Sequence, residues 1–441
     1  MSDPSSVYPF VSHGGGAPLT VVRTEGVWLV TSDGRRILDA AGGAIVASIG
    51  HGRAEVADVA ARAMAEISFV VPPFATTSRV ALVERLRASW LPQGITRAIF
   101  ASGGSESVDL ALRVARQHHV CAGRTGRWKM IGRELSYHGT TLATLAVGGH
   151  GVRRAGLEPL LSAHPRAPAC YPLRCTMCRD VGGCTLACAD AIEEIIVREG
   201  ADTVAAVIAE PIGGSTAGAL VPPDGYWPRL REITRRHGVL LIADEVMTGF
   251  GRTGREFAVD HFGVVPDLLV AGKGLAAGYA PICGVYATDE VVAPIAERGE
   301  EVMFYTYSAH PAACAVADKV LEIMQREGLV ARAAELGIYL SERLGALRDH
   351  PNVAEIRGRG LLQAIEIVRD RETLAPFASE QHITSRVVLA GLGRGVFFYP
   401  GGTKPGPDVI CLGPPFIVTK EEIDQIVDVL GQSLSAAVAG L

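Results

Sequence analysis

An aspartate and a lysine at the ends of two apolar stretches are the strongest chemical signal in the chain. Residues 239–243 lead without polar alternation into Asp244, and residues 267–271, which are apolar after Asp267, lead into Lys273 and its two flanking glycines. Unbroken apolar runs are typical of strands that are buried on both faces. Open α/β sheets bind ligands at the carboxyl ends of their parallel strands, so both side chains would face a ligand crevice.

These two residue types suit chemistry on a flat, charged cofactor. Flanking glycines let such a molecule approach the backbone, and desolvation lowers the pKa of a lysine, so Lys273 is a candidate for a Schiff base. Asp244 would stay ionised if a buried cation paired with it, and the pyridinium nitrogen of pyridoxal phosphate is such a cation. Taken alone, the two residues leave a structural ion pair between strand ends as an alternative.

Longer motifs around this pair match a known family. Residues 243–246 read ADEV, residues 248–254 read TGFGRTG, and residues 271–274 read AGKG. This ordered signature resembles the class III, omega-type, aminotransferases, which belong to the fold type I enzymes. The resemblance implies that the cofactor is pyridoxal 5'-phosphate (PLP) and that Lys273 and Asp244 are catalytic.

The resemblance covers nearly the whole chain and implies an α/β fold. A fold type I PLP-dependent transferase has a large domain with a mainly parallel central sheet and a smaller α+β domain from both termini. We expect residues 1–60 to be an N-terminal segment joining the small domain, residues 61–310 the large PLP-binding domain, and residues 311–441 the C-terminal small domain. A chain of 441 residues is long enough for two or three domains.

Composition argues against several other functions. The formal net charge of -5, without any basic block, argues against binding nucleic acid. No apolar run approaches the length of a membrane span, and the first residues lack the basic and apolar regions of a signal peptide. We therefore expect a cytoplasmic protein with no membrane partner, whose nine cysteines are mostly reduced.

A glycine-rich turn before a helix is suited to binding an anion. Residues 97–100 are predicted to form a strand, residues 101–105 a turn, and a helix follows. Free N–H groups at a helix start attract anions, and a serine adds a donor. By itself the pattern equally fits a plain helix cap. The resemblance identifies Gly104 and Ser105 with the phosphate-binding turn of the family.

The resemblance assigns three more residues to the cofactor. Tyr137 matches the aromatic residue that stacks on the pyridine ring, and Val246 would lie against the opposite face. Glu210, after a predicted strand at residues 204–209, would lie near the cofactor and pair with an arginine that controls substrate binding. The alternatives are ordinary core packing for Tyr137 and a carboxylate bound to the backbone for Glu210.

Thr306 implies that two subunits share each active site. Residues 305–311 read YTYSAHP and match a family motif, with Ala309 in place of a glycine. In the family this threonine donates to the phosphate of the neighbouring subunit's cofactor, so we expect a homodimer with shared sites, or a tetramer. Phe74 ends a proline-containing segment that the family uses at the same interface and is a candidate substrate contact, although a surface loop also fits.

The segment from residue 148 to residue 190 is predicted to be irregular and contains five cysteines. Cys175 and Cys178 are spaced as C-x-x-C, but Cys184 and Cys188 follow after a gap of only five residues and are spaced as C-x-x-x-C. The pattern superficially suggests zinc. We favour a surface loop and expect no metal in the active site, with a structural metal as the alternative.

The implied reaction is a ping-pong transfer of an amino group from an amine donor to an oxo acid acceptor such as pyruvate. Many family members grip a carboxylate with an arginine in the loop before residues 414–415, but here Lys404 is nearest to that position. Lys404 is therefore a candidate substrate contact that would bind a carboxylate as a point charge, and a solvated side chain fits equally well. A simple amine or omega-amino acid donor is therefore favoured. Amino acid epimerases or racemases and a decarboxylase-transaminase share these motifs and remain alternatives. A non-enzymatic binding protein would not need both Lys273 and Asp244.

Overall fold

Three β-sheets with packed helices form the part of the chain that the computed structural model describes, which is residues 19–178, 183–403, 406–439 and 441. The strands are β1 Val21–Glu25, β2 Trp28–Thr31, β3 Arg36–Asp39, β4 Ile95–Ala101, β5 Lys129–Arg133, β6 Arg166–Ala167, β7 Val204–Ala209, β8 Leu240–Asp244, β9 Leu268–Ala271, β10 Cys283–Thr288, β11 Val353–Arg359, β12 Leu362–Ile367, β13 Val396–Phe397, β14 Tyr399–Gly402 and β15 Asp408–Leu412. The helices are α1 Gly42–Ile45, α2 Ala54–Glu66, α3 Thr77–Ser89, α4 Gly104–Cys121, α5 Leu142–Val147, α6 Gly151–Arg154, α7 Ala187–Glu199, α8 Tyr226–Arg236, α9 Asp289–Glu297, α10 Pro311–Arg326, α11 Leu329–Leu344, α12 Ile383–Gly393 and α13 Lys420–Val438. Within these ranges no helix has both the length and the apolar character needed to cross a membrane.

The largest sheet carries the candidate site. Its strand order within the described residues is β4-β10-β9-β8-β7-β5-β6. In this spatial order, each pair of neighbouring strands in the series β9, β8, β7, β5 and β6 is parallel. Strand β10 is antiparallel to both β4 and β9. Every residue of β7, β8 and β9 is buried, which explains their unbroken apolar sequences. The predicted α/β fold with a mainly parallel central sheet is confirmed.

The two ends of the chain together form a smaller α+β region, as predicted. β1, β2 and β3 form an antiparallel meander, and β13 joins it in parallel, with Val396 opposite Leu38. The third sheet, in the order β11-β12-β15-β14, is antiparallel. Helices α11, α12 and α13 pack together beside these strands. The domain boundaries at residues 60 and 310 stay predictions.

Helix α13 shows how a local sequence signal fixes an element boundary. The sequence T-x-x-E at residues 419–422 predicts a capping box. In the structure the Glu422 N–H donates to Thr419 Oγ1 at 3.2 Å, and the Thr419 N–H donates to Glu422 Oε2 at 2.9 Å. The helix accordingly begins at Lys420.

The cysteine-containing segment is less irregular and less exposed than predicted. It contains α6 and β6, and α7 begins at Ala187. Cys170, Cys178 and Cys188 are buried, so the surface-loop interpretation is wrong for them. Packing of Tyr171 and Arg174 against Glu366 of β12 holds the segment to the smaller region. In the described ranges, no group of three or more His, Cys, Asp or Glu side chains is placed to hold a metal ion.

Candidate active site

One cavity at the carboxyl ends of the central strands contains most of the predicted site residues. Its volume is about 380 Å³. Seven predicted residues line it, namely Gly104, Ser105, Tyr137, Glu210, Asp244, Val246 and Lys273. Because β7, β8 and β9 are adjacent, Glu210, Asp244 and Lys273 meet at one edge of the sheet.

Asp244, the last residue of β8, is buried and held in place by two hydrogen bonds. His138 Nδ1 donates to one carboxylate oxygen at 2.7 Å, and the Val246 N–H donates to the other at 3.1 Å. His138 is buried too, and its Nε2 has no hydrogen-bond partner within the described residues. The imidazole fixes the orientation of the carboxylate. Asp244 therefore presents a positioned negative charge to the cavity.

Lys273 lies two residues after β9 in an unusual backbone conformation. Its φ is 37°, in the left-handed region that residues other than glycine rarely adopt. Burial lowers the pKa of its amino group to about 8; the nearby negative charge of Asp244 opposes this shift, and the positive charge of Arg252 adds to it. Near neutral pH an appreciable fraction of the lysine is therefore an uncharged amine, the nucleophilic form.

The start of helix α4 forms another wall of the cavity. Its N-cap residue, Gly103, provides no side-chain acceptor for the first-turn N–H groups. The Thr140 N–H donates to Ser105 Oγ at 3.1 Å, which leaves the serine hydroxyl hydrogen available. Gly139 has a φ of 134°, and a Cβ there would lie 2.7 Å from Ser105 Oγ, so glycine permits this close approach. These features make an anion site with free donors.

Glu210 connects the end of β7 to the loop that carries Tyr137. Its carboxylate accepts a hydrogen bond from the Tyr137 N–H at 3.2 Å and lies 3.5 Å from Arg133 Nη2. Arg133 also donates to the Glu210 backbone carbonyl at 2.7 Å. The arginine that pairs with Glu210 is thus Arg133 of β5, which is buried and does not line the cavity. This ion pair fixes the backbone beneath the tyrosine.

The motif after Asp244 ties the end of β8 to the smaller region. The buried Glu245 carboxylate accepts hydrogen bonds from the Ala258 and Val259 N–H groups at 3.0 and 2.8 Å, and burial raises its pKa to about 7. Arg252 donates to the Pro414 carbonyl at 2.6 Å and stacks on Phe416 at 4.6 Å. Burial lowers the Arg252 pKa to about 9. Because Glu245 and Arg252 both make these contacts, the motif extends well beyond the cavity residue Asp244.

Two further predicted site residues, Thr306 and Phe74, do not line the cavity within one chain. Thr306 is exposed, and so is Phe74, whose side chain is 66% accessible. Both belong to an apolar surface on which the rings of Phe69 and Tyr307 lie 6.2 Å apart. Lys404 lies outside the described residues. Its neighbour Thr403 contacts His150 at 3.0 Å, so the loop reaches the segment before α6.

Residues that the sequence did not assign also line the cavity. His138 follows Tyr137 directly, and this adjacency to a predicted site residue could have drawn attention to it. Arg153 of α6 and Tyr399 of β14 come from distant parts of the chain. The guanidinium of Arg153 lies 4.9 Å from the centre of the Tyr137 ring. No sequence signal distinguishes this arginine from the many others.

Comparison with known proteins identifies the family. The profile described as Aminotransferase class-III matches residues 10–434. The chain belongs to the class III aminotransferases. Like its relatives, this class III aminotransferase is a transferase that uses PLP and has the fold type I architecture.

Several relatives are similar to this class III aminotransferase over almost its whole length. An uncharacterized aminotransferase of Schizosaccharomyces pombe is 38% identical, covering 98% of this chain and 96% of that protein. The putrescine–pyruvate aminotransferase of Pseudomonas aeruginosa is 34% identical, covering 96% of this chain and 91% of that protein. A solved structure, the (S)-enantioselective omega-transaminase from Thermomicrobium roseum, is 34% identical with a TM-score of 0.91, covering 99% and 98% of the two chains.

The cavity of this aminotransferase fits PLP in size and in charge. A volume of about 380 Å³ lies in the range of small-molecule and cofactor pockets. The uncapped start of α4 suits a phosphate, and the Asp244 carboxylate suits a protonated ring nitrogen. Lys273 supplies an amine that can bond covalently to an aldehyde.

Proposed function

We propose that this enzyme transfers an amino group from an amine or omega-amino acid to an oxo acid such as pyruvate by a ping-pong mechanism. The observation that carries the proposal is the pair formed by Lys273 and Asp244. Lys273 is an amine with a lowered pKa, and Asp244 is a carboxylate held in place by His138. Both residues face one cavity from the ends of adjacent strands. When bound there, PLP acts as an electron sink for the carbanion formed next to the reacting nitrogen.

Lys273 has two roles in this proposal. Its amino group would hold the cofactor covalently at rest. Once an incoming amine had freed it, the same amino group would accept and return the proton of the substrate carbon, acting as general base and general acid. A pKa near 8 suits both directions of this proton transfer.

The remaining cavity residues bind and orient. Asp244 keeps the ring nitrogen protonated, and His138 holds the carboxylate in the required direction. The first turn of α4, with Gly104 and Ser105, receives the phosphate. Tyr137 and Val246 form the walls on either side of the ring.

The pKa of Lys273 predicts how cofactor capture depends on pH. In the cofactor-free protein the lysine is charged below its pKa and neutral above it, and only the neutral amine attacks an aldehyde. We expect the capture rate to rise about tenfold per pH unit up to pH about 8 and then to level off. Stopped-flow absorbance after mixing with PLP measures this rate. A rate still rising steeply near pH 10, as for an ordinary lysine of pKa about 10.4, would contradict the account.

A homodimer completes the site in this proposal. The surface around Thr306 exposes large apolar side chains, including Met303 at 73% and Tyr307 at 65% accessibility. Exposed patches of this kind are typical of interfaces between proteins. Thr306 is absent from the cavity lining of its own chain, which supports a role in the partner's site. Phe74 lies on the same surface and would approach the partner's substrate.

Removing the Thr306 hydroxyl is expected to weaken cofactor binding without separating the subunits. One hydrogen bond to the charged phosphate is lost in Thr306→Ala, so the PLP dissociation constant should rise about tenfold. Thr306→Ser, which keeps the hydroxyl, is the matched control. Equilibrium dialysis measures the affinity, and sedimentation velocity measures the oligomeric state. An unchanged dissociation constant in a stable dimer would exclude this role.

The activities for which two relatives are named support the choice of substrates. These relatives are a putrescine–pyruvate aminotransferase and an omega-aminotransferase of Caulobacter vibrioides that is 35% identical. Both names fit amine or omega-amino acid chemistry. The epimerase, racemase and decarboxylase alternatives use the same cofactor residues, so the products decide between them.

Product analysis tests the proposed reaction. The holoenzyme is incubated with a nitrogen-labelled amine and pyruvate, and the products are identified by mass spectrometry. Labelled alanine together with the carbonyl form of the amine supports amino transfer. With an amino acid as substrate, inversion of configuration would assign an epimerase or racemase, and release of carbon dioxide would assign a decarboxylase.

A further inference from the structure

Arg153 brings a positive charge to the cavity wall. It belongs to α6, which follows the loop carrying Tyr137, and its side chain is exposed. Its guanidinium lies 4.9 Å from the centre of the Tyr137 ring, within the range of a cation–π interaction. Since Tyr137 is held by the hydrogen bond from its own N–H to Glu210, the arginine packs against a fixed surface.

The carboxylates that line this cavity are already engaged by other groups. Asp244 accepts hydrogen bonds from His138 and the Val246 N–H. Glu210 pairs with Arg133 and accepts from the Tyr137 N–H. Across the described ranges, Arg153 forms no ion pair with any carboxylate, and the contact of its side chain is the one with the Tyr137 ring. The guanidinium donors are therefore free to bind an anion that enters the cavity.

Among the described residues that line the cavity, no other cation competes with Arg153 for an anion. Burial lowers the pKa of His150, and the charge of Arg153 lowers it further, so this imidazole is neutral at neutral pH. His150 packs edge-on against Tyr137, with ring centres 6.1 Å apart. Lys273 is committed to the cofactor at rest. Among the described cavity residues, this leaves Arg153 as the group whose charge and geometry suit a carboxylate.

We infer that Arg153 binds the carboxylate of the oxo acid acceptor and of the amino acid formed from it. A guanidinium matches a carboxylate with two parallel hydrogen bonds, which a lysine ammonium cannot reproduce. This inference rests on the proposed function and makes it more specific. Acceptors with a carboxylate would use Arg153, whereas donors that are simple amines would not. Carboxylate recognition would thus come from α6 rather than from Lys404.

The test compares four variants of the holoenzyme. Arg153→Ala removes the guanidinium, and Arg153→Lys keeps the charge without the planar pair of donors. Lys404→Ala tests the rival residue. Arg62→Ala removes an exposed positive charge of α2 that does not line the cavity, and it is the control for net charge.

Two measurements are made on each variant. The first is the affinity for propionate, a carboxylate without a reactive carbonyl, measured by calorimetry. The second is the kcat/KM of the aminated holoenzyme with pyruvate and with benzaldehyde, a carbonyl acceptor without a carboxylate. The propionate measurement needs no amino transfer, so it tests Arg153 even if the enzyme catalyses a different reaction from the one proposed. Failure of wild type to aminate any acceptor while propionate still binds would refute only the proposed function.

We expect Arg153→Ala to weaken propionate binding and lower kcat/KM for pyruvate by about 10- to 100-fold, mainly through KM. The kcat/KM for benzaldehyde should change by less than about twofold, because benzaldehyde has no carboxylate whose contact could be lost. Arg153→Lys should recover part of the loss, and Arg62→Ala should match wild type. The inference is overturned if wild type does not bind propionate or if Arg153→Ala binds propionate as tightly as wild type does. It is also overturned if Arg153→Ala lowers kcat/KM equally for pyruvate and benzaldehyde, or if only Lys404→Ala loses the preference for pyruvate.

Discussion

Replacing Lys273 with alanine is expected to lower the rate of amino transfer by about three orders of magnitude or more, since general acid–base catalysis alone contributes about 10²- to 10⁴-fold. The variant loses both the covalent anchor and the group that moves the proton. The cofactor can still bind through the start of α4 and Asp244. We therefore expect a visible absorption band at the position of the free aldehyde rather than that of the lysine-bound form, together with steady-state rates near background.

Two controls make the Lys273 result specific. Lys420→Ala removes an exposed lysine at the first position of α13, outside the cavity, and should keep wild-type activity. Added methylamine should restore part of the rate in Lys273→Ala, because a free amine can take over the proton transfer. Wild-type turnover by Lys273→Ala would disprove the assigned role.

Changing Asp244 to asparagine is expected to lower kcat by about 10²- to 10⁴-fold, because removing one partner of a buried charge pair costs about 3–5 kcal/mol and each 1.36 kcal/mol corresponds to about tenfold in rate. An amide cannot keep the ring nitrogen protonated, so the cofactor loses its capacity to accept electrons. The hydrogen bond from His138 Nδ1, at 2.7 Å, would also lose its charged acceptor. Steady-state kinetics and a spectral titration of the bound cofactor against pH measure the two effects.

Asp58→Asn is the matched control for this substitution. Asp58 is an exposed residue of α2 outside the cavity, and its variant should behave as wild type. If Asp244→Asn kept full kcat and an unchanged spectral titration, Asp244 would be only a structural partner of His138.

The sequence predicts the site well where one strand alone determines the position of a residue. A buried parallel strand reads as an unbroken apolar run, and its last residue must lie at the carboxyl edge of the sheet. Asp244 and Lys273 satisfy this rule directly, because β8 and β9 end at or just before them. The same rule places Glu210 after β7. Sheet order then brings all three residues together.

Positions that depend on contacts between distant elements could not be predicted in this way. The bond from His138 to Asp244 joins the loop after β5 to the end of β8, and β7 lies between these strands. Arg153 belongs to a helix of four residues that has no periodic pattern. Helix α3 was also missed, because only Leu82 and Leu86 of its thirteen residues are buried and no clear apolar stripe marks it. The proposed role of Thr306 would require a second subunit.

The most direct test of the central claim is the visible spectrum of the purified holoenzyme with a panel of amines and no oxo acid. We expect that an effective amine abolishes the band of the lysine-bound cofactor, that the band stays lost, and that pyruvate restores it with one equivalent of alanine per site. An epimerase would regain its band without an oxo acid, and a decarboxylase-transaminase would release carbon dioxide from an amino acid donor. A band that never responds to any amine, or that recovers before pyruvate is added, would contradict amino transfer through Lys273.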